Sequence, residues 1–359
     1  MALARALAVV WTGSLGIAGT VTVLASGCGK ASNSGFGLEG DGPSDAATAS
    51  DGAGSEPDAS ESPTDAGTGT SIFMTTDTGA PAVVVGDGSV TLPSNFVPTE
   101  KGGYALGPAI TTGGGDAGVY ENSGTANCSL VTGVVRDFKD KGDDNNTGDP
   151  DFDAFSGSTP TTGLVEATLG SNLKPVYAGN CGPGTGFLAA GCPWGQMLTT
   201  QANFDEWYSY ASGVNEPFLV YLEFVPNGGV YTFDSESYFP LDAAGWGNNA
   251  DDENGTLRNF GFTTEVHLAF AYKGGETFTF VGDDDLWAFI DKKLAVDLGG
   301  THSAATGSVQ LDSLGLTKGT TYPLDIFQAE RHPNASHFRI DTNLSFTSCG
   351  TIPPDMPPK

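Results

Sequence analysis

The stretch Phe278-Thr-Phe-Val-Gly-Asp-Asp-Asp-Leu-Trp-Ala-Phe-Ile290 sets two strand-like runs on either side of three consecutive carboxylates. Phe278 and Phe280 recur with the period of two that turns one face of a strand toward a core. Leu286–Ile290 reads as the next strand, in which Trp287 alternates with Phe289 and is expected to be core. Between the two runs, Asp283-Asp284-Asp285 must repel one another unless a cation or hydrogen-bond donors intervene. One expected solution is Ca²⁺, with Asp283, Asp284 and Asp285 as its ligands. The other is turn chemistry, in which Asp283 caps a turn and Asp284 accepts backbone N–H bonds.

The same alternation spreads outward from this stretch. Val266, Leu268 and Phe270 interleave with Glu265 and His267, and Phe338, Ile340, Thr342 and Leu344 interleave with His337, Arg339 and Asp341. These are half-buried strands, separated by turn signals such as Lys273-Gly274-Gly275 and Thr317-Lys318-Gly319. A helical face is expected only at Asn203–Ala211, with Phe204, Trp207 and Tyr208 together on it. No internal repeat is found, so the pattern implies an all-β sandwich or barrel with long loops, in one domain over residues 90–350.

The chain of 359 residues carries 43 Asp and Glu against 15 Lys and Arg, a formal charge of -28. That excludes the positive field a phosphate backbone requires, so no nucleic-acid partner is expected. At the start, residues 6–27 are uncharged and apolar and close on Leu24-Ala25-Ser26-Gly27-Cys28. This reads as a signal peptide over 1–27 whose last residues resemble a bacterial lipobox, making Cys28 the expected lipidation site and the membrane a partner through that anchor. An uncleaved membrane-spanning helix is the rival reading. Residues 28–89 are expected to be a disordered acidic linker, and 351–359 a Pro-rich tail. The expected location is the outer membrane or cell surface.

Setting Cys28 aside leaves Cys128, Cys181, Cys192 and Cys349, an even number in an exported chain. Three pairings are open; Cys181 with Cys192 and Cys128 with Cys349 are favoured, closing a short loop and tying the ends of the domain.

The run from Phe278 to His302 resembles the hallmark of the fibro-slime domain. Further blocks keep the family's order: Val134-Val-Arg-Asp-Phe138, Phe204-Asp-Glu-Trp-Tyr208, Tyr238-Phe-Pro-Leu-Asp242, Tyr322-Pro-Leu-Asp-Ile-Phe327 and Ala329-Glu-Arg-His332. Together they span about residues 130–346. Asp149 stands where the family commonly has His, and Lys292-Lys293 replaces its usual turn. The resemblance implies a protective-antigen-type β-sandwich, extracellular slime or matrix, and attachment to polysaccharide. It also implies the pair Asp283-Asp284 as the calcium site of related lectins, with sugar hydroxyls completing the shell.

Among the remaining candidates, Trp246 lies in the Gly-rich run Gly245–Asn249 and is expected to offer an exposed face to sugar, with His302 and Arg331 as further carbohydrate-binding residues. Asp143–Asp151 carries oxygen residues at alternate positions but Ala154 at the place of the closing Glu, and reads as a surface loop. No nucleophile elbow, zinc helix or phosphate loop occurs, so a binding module is expected rather than an enzyme. The expected function is a lipid-anchored polysaccharide-binding or adhesion protein. The alternatives are a structural matrix protein that reads no sugar and a glycan-cleaving enzyme.

Overall fold

A computed structural model of the chain describes residues 93–110, 128–139, 148–152 and 154–352, with the backbone of Val85–Gly86 and Ser89–Val90. The signal segment, Cys28, most of the 28–89 linker, Asp143–Thr147 and residues 353–359 lie outside the described residues.

The principal strands are β1 (Gly103–Ala109), β2 (Leu130–Phe138), β3 (Asn215–Glu223), β4 (Val230–Ser235), β5 (Phe262–Ala271), β6 (Thr277–Gly282), β7 (Asp285–Ile290), β8 (Lys293–Leu298), β9 (Ala305–Gln310), β10 (Thr321–Glu330), β11 (Phe338–Thr342) and β12 (Ser345–Ser348). Among the described residues they form a nine-stranded sheet in the order β8-β7-β10-β5-β2-β3-β1, with Val97–Pro98 at its edge and β12 against the end of β5. A five-stranded sheet runs β9-β6-β11-β4 and ends on Val225–Asn227. All these ladders are antiparallel, the arrangement expected of an all-β sandwich.

Alternation along the strands explains the core. Phe233, Phe278, Phe280 and Phe338 from the smaller sheet cluster with Val266, Phe270, Leu286 and Ile326 from the larger one. The larger sheet is buried on its other face as well, where Trp287, Phe289 and Phe327 cluster with Phe152, Leu164, Phe204, Trp207 and Tyr208 of the segment preceding β3. β7 is therefore buried at all six positions, which accounts for its unbroken apolar run after Asp285. Trp287 is fully buried as expected, its Nε1 donating to Asp297 at 3.0 Å.

Two expectations need correction. The helix spans Gln201–Glu206, capped by Thr200 accepting from Asn203 N, and stops before the predicted end. Asn215 ends it by donating Nδ2 to the carbonyls of Glu206 and Ser209, which a continuing helix would have used itself. The polar side of β5 is not solvated: Glu265 and His267 are 1% and 8% exposed, because Lys174 and Arg136 close over them. The disulfides join Cys128 to Cys349 and Cys181 to Cys192, with Cα separations of 5.1 and 5.5 Å.

Candidate functional site

Asp283 and Asp284 are the whole link between β6 and β7, and the chain changes sheets there. β6 ends at Gly282 in the smaller sheet and β7 begins at Asp285 in the larger. The chain crosses back beside this link, leaving the larger sheet after Glu330 and entering the smaller at Phe338. Register holds the crossings together, with Asp285 opposite Ala329 and Gly282 opposite Phe338. A side chain at 282 would run into the His337 carbonyl, so the close approach requires glycine there.

All six oxygens of the acidic triplet accept from protein donors. Asp283 takes the backbone N–H of His337 and its Nδ1, the latter at 2.8 Å. Asp284 takes the backbone N–H groups of His302 at 3.1 Å and Arg331 at 3.0 Å. Asp285 takes the N–H of Gly300 and faces the Arg331 guanidinium, with Nε at 2.7 Å and Nη2 at 2.6 Å. Asp283 thus pins His337 to the crossing, while Asp284 and Asp285 together pin Arg331 and the 300–302 loop.

Arg331 and His302, expected to touch sugar, do not reach the surface. Arg331 is 1% exposed, stacks 4.5 Å over the Trp207 ring and also donates to the carbonyls of Asp151 and Met197. His302 is 4% exposed, and its two ring nitrogens lie 2.8 and 3.0 Å from the carbonyls of Ser303 and Leu298. Trp246 is exposed at 39%, as its glycine neighbours predict, but it belongs to another network in which its backbone N–H donates to Asp137. Asp149 and Asp151, read as a surface loop, are 1% and 0% exposed; Asp151 accepts from the Thr199 N–H and hydroxyl, which draws the loop inward.

Burial leaves charge unbalanced at one point. The Asp284 carboxyl is pushed up to about 8 by desolvation, against the lowering pull of Arg331, and Asp285 and Asp283 add to the rise. Glu330 is pushed well up by its own burial and then by Asp284 and Asp283. Neither Glu330 oxygen accepts a hydrogen bond, since the nearby Ser336 hydroxyl donates to the Tyr238 carbonyl instead. Two such carboxylates need a proton or a cation between them. Among the described residues no three His, Cys, Asp or Glu side chains are arranged as a ready metal cage. The unbalanced charge is confined to Asp284 and Glu330, with Asp283 alongside. Asp285 is already neutralised by Arg331.

Beside this node lies an aromatic patch that the sequence reading missed. Phe187 and Leu188 are 66% and 73% exposed on the loop closed by the Cys181–Cys192 disulfide. The Phe187 ring leans on Trp194 at 5.7 Å, and Trp194 Nε1 donates to Thr159 at 2.9 Å. Gly157 fills the gap between the Trp194 ring and the carbonyl of Thr301, the residue before His302. The patch therefore stands one glycine away from the loop held by Asp284. The available signal was aromatic residues flanking a Gly-rich cysteine loop.

Residues 210–359 match the family model of the PA14 domain. The matched part holds β3 to β12 and the whole acidic node, and the fold is an all-β sandwich consistent with that domain. Protein psiQ of Dictyostelium discoideum is similar at 37% identity over 211 residues, 56% of this chain and 20% of its own length. Protein psiR of the same organism is 37% identical over 208 residues, covering 55% and 20%. Protein psiD is 39% identical over 190 residues, covering 52% and 36%. The chain thus spans only about a fifth of the length of the first two of these relatives. An anti-sigma factor domain-containing protein of known structure overlaps at a TM-score of 0.20 and 9% identity, covering 72% of this chain and 83% of its own, too little to inform the fold.

Proposed function

We propose that the chain is a cell-surface carbohydrate-binding and adhesion module of an extracellular slime or matrix, held to the membrane by lipid at Cys28. The PA14 match over the segment containing the acidic node carries this reading, and the fibro-slime resemblance of residues 130–346 agrees with it. Phe187 and Trp194 supply the apolar face on which a sugar ring stacks, and the disulfide-closed loop holds that face rigid. Ca²⁺ held by Asp283, Asp284 and Glu330 would neutralise the node and fix the 299–302 loop beside the aromatic patch. His302 and Arg331 position that loop and do not touch the glycan.

The test is glycan-array binding with and without calcium for the wild type, the double variant Phe187→Ala/Trp194→Ala, Glu330→Gln, and Trp246→Ala as a control. Binding should fall at least about tenfold in the aromatic variant, the loss of one stacked ring or more, and stay unchanged in Trp246→Ala. Calcium titration should give heat with the wild type and none with Glu330→Gln. Matrix assembly without any glycan bound would select a structural protein instead, and steady release of reducing ends would select a hydrolase.

A further inference from the structure

A second site is built on the outer face of the larger sheet. Glu265 sits at its centre, accepting from Arg136 Nη1 at 2.7 Å and from Lys174, with His267 Nε2 at 2.6 Å. His267 Nδ1 lies 2.6 Å from Asp325 Oδ1, its register partner across β5 and β10. Both ring nitrogens face carboxylates, so the imidazole is held as a cation: burial works against the charge, but Asp325 and Glu265 raise its pKa to about 9. Burial pushes Glu265 up, yet Lys174 and Arg136 pull it further down. With both nitrogens committed, His267 cannot serve as a base for a neighbouring hydroxyl.

A cavity of about 320 Å³ opens beside this network, lined by Leu173, Ala269, Pro323 and Ile352 and by Asp325 and Ser348. That volume is at the lower end of small-ligand sites, roughly 300–1,000 Å³. Its polar groups are incomplete. Asp325 is 3% exposed and its Oδ2 has no hydrogen-bond partner, and the buried Ser348 hydroxyl has none either. Ser348 is register partner to Ala269, which in turn faces Pro323, so the free groups and the apolar walls share one patch of sheet. The turn at 170–174 that supplies Lys174 also sets Leu173 at the mouth, 38% exposed and held at φ 62°. A leucine in that backbone region is strained, and strain of this kind collects at ligand sites.

The missing partner can be specified. It must donate to Asp325 Oδ2 on one side of β5 and pair with the Ser348 hydroxyl on the other, which two hydroxyls of one small molecule do and a single group does not. A cation is disfavoured by the network, where Arg136, Lys174 and His267 outnumber Glu265 and Asp325 by three to two. The four apolar residues require an aliphatic flank. We propose that this cavity binds a small neutral alcohol with an aliphatic side, the class to which 6-deoxyhexose units belong. The site lies on the same strand as Glu330 but five residues away, about 16 Å at 3.3 Å per residue, so it is separate from the acidic node.

The experiment is NMR titration of the full chain with methyl 6-deoxyhexosides, with methyl α-D-mannoside for comparison. Saturable shifts from residues 323–325 and 348–352 are expected, with binding at least about tenfold weaker in Leu173→Trp, which blocks the mouth, and in Ser348→Ala, which leaves the ionic network intact. Unchanged affinity in both variants, or no saturable shift with the wild type, overturns the proposal. Equal affinity for the mannoside overturns its aliphatic part. Loss only in Phe187→Ala/Trp194→Ala places the ligand at the aromatic patch, which supports the proposed function and removes this second site.

Discussion

Replacing Arg331 by methionine removes the counter-charge of Asp285 from a place water does not reach, since the two side chains are 0% exposed. The carboxylate keeps only the Gly300 N–H, the carbonyls of Asp151 and Met197 lose their donor, and the Trp207 ring loses its cation. Breaking a buried pair from one side costs about 3–5 kcal/mol, and the cation over the ring adds about 1 kcal/mol. With a urea slope of about 3 kcal/mol/M, a loss of about 4.5 kcal/mol moves the unfolding midpoint down by about 1.5 M. Asp285→Asn in the same background removes the stranded charge, so the double variant should recover about 2 kcal/mol relative to the sum of the single losses. The assay is urea denaturation of the four proteins in chelator and again in calcium. A loss below about 1 kcal/mol for Arg331→Met, or strict additivity in the cycle, refutes the pairing. Full rescue of Arg331→Met by calcium would move the counter-charge from the guanidinium to a metal.

The remaining predictions concern pH and the disulfides. Burial raises the carboxyls of Asp284 and Asp149 to about 8 and of Asp137 to about 7, so each binds its proton more tightly folded than unfolded. Their contribution is complete below the unfolded value near pH 4 and is lost as pH rises to about 8, so the melting temperature in chelator should fall from pH 5 to pH 8. A flat or rising profile contradicts this, and Asp137→Asn should flatten the part that ends near pH 7. Reducing Cys128–Cys349, which closes 221 residues of separation, should cost roughly 2–5 kcal/mol in chemical denaturation. An unchanged midpoint after thiol-verified reduction would show that the bond contributes nothing to the folded state.

Strand alternation was legible because each element stands alone in its signal: Phe278 and Phe280, Phe338 and Ile340, and Trp287 all point where their spacing says. The importance of Asp283–Asp285 was legible too, since three adjacent carboxylates demand partners wherever the chain puts them. Which partners they have was not. Arg331, His302 and Asp151 are buried by the segment before β3, whose path over the sheet follows no local periodicity. The same cover hides the polar side of β5, because Glu265 meets cations from residues 136 and 174 that are remote in sequence. Glu330 was overlooked as an acid without a donor, because that condition exists only after Ser336 has turned to Tyr238.

The bond between Cys128 and Cys349 also has a mechanical meaning. Tension applied through the segments outside these two cysteines passes across a Cα separation of 5.1 Å and does not run through the residues between them. Those residues, with separation 221, would otherwise yield about 75 nm of slack at roughly 3.4 Å each. Among the described residues of this sheet, only β1 and the Val97–Pro98 edge, which precede Cys128, can be peeled away while the bond is intact. Pulling on the ends would thus detach at most that edge, while the acidic crossing and the aromatic patch stay out of the line of force.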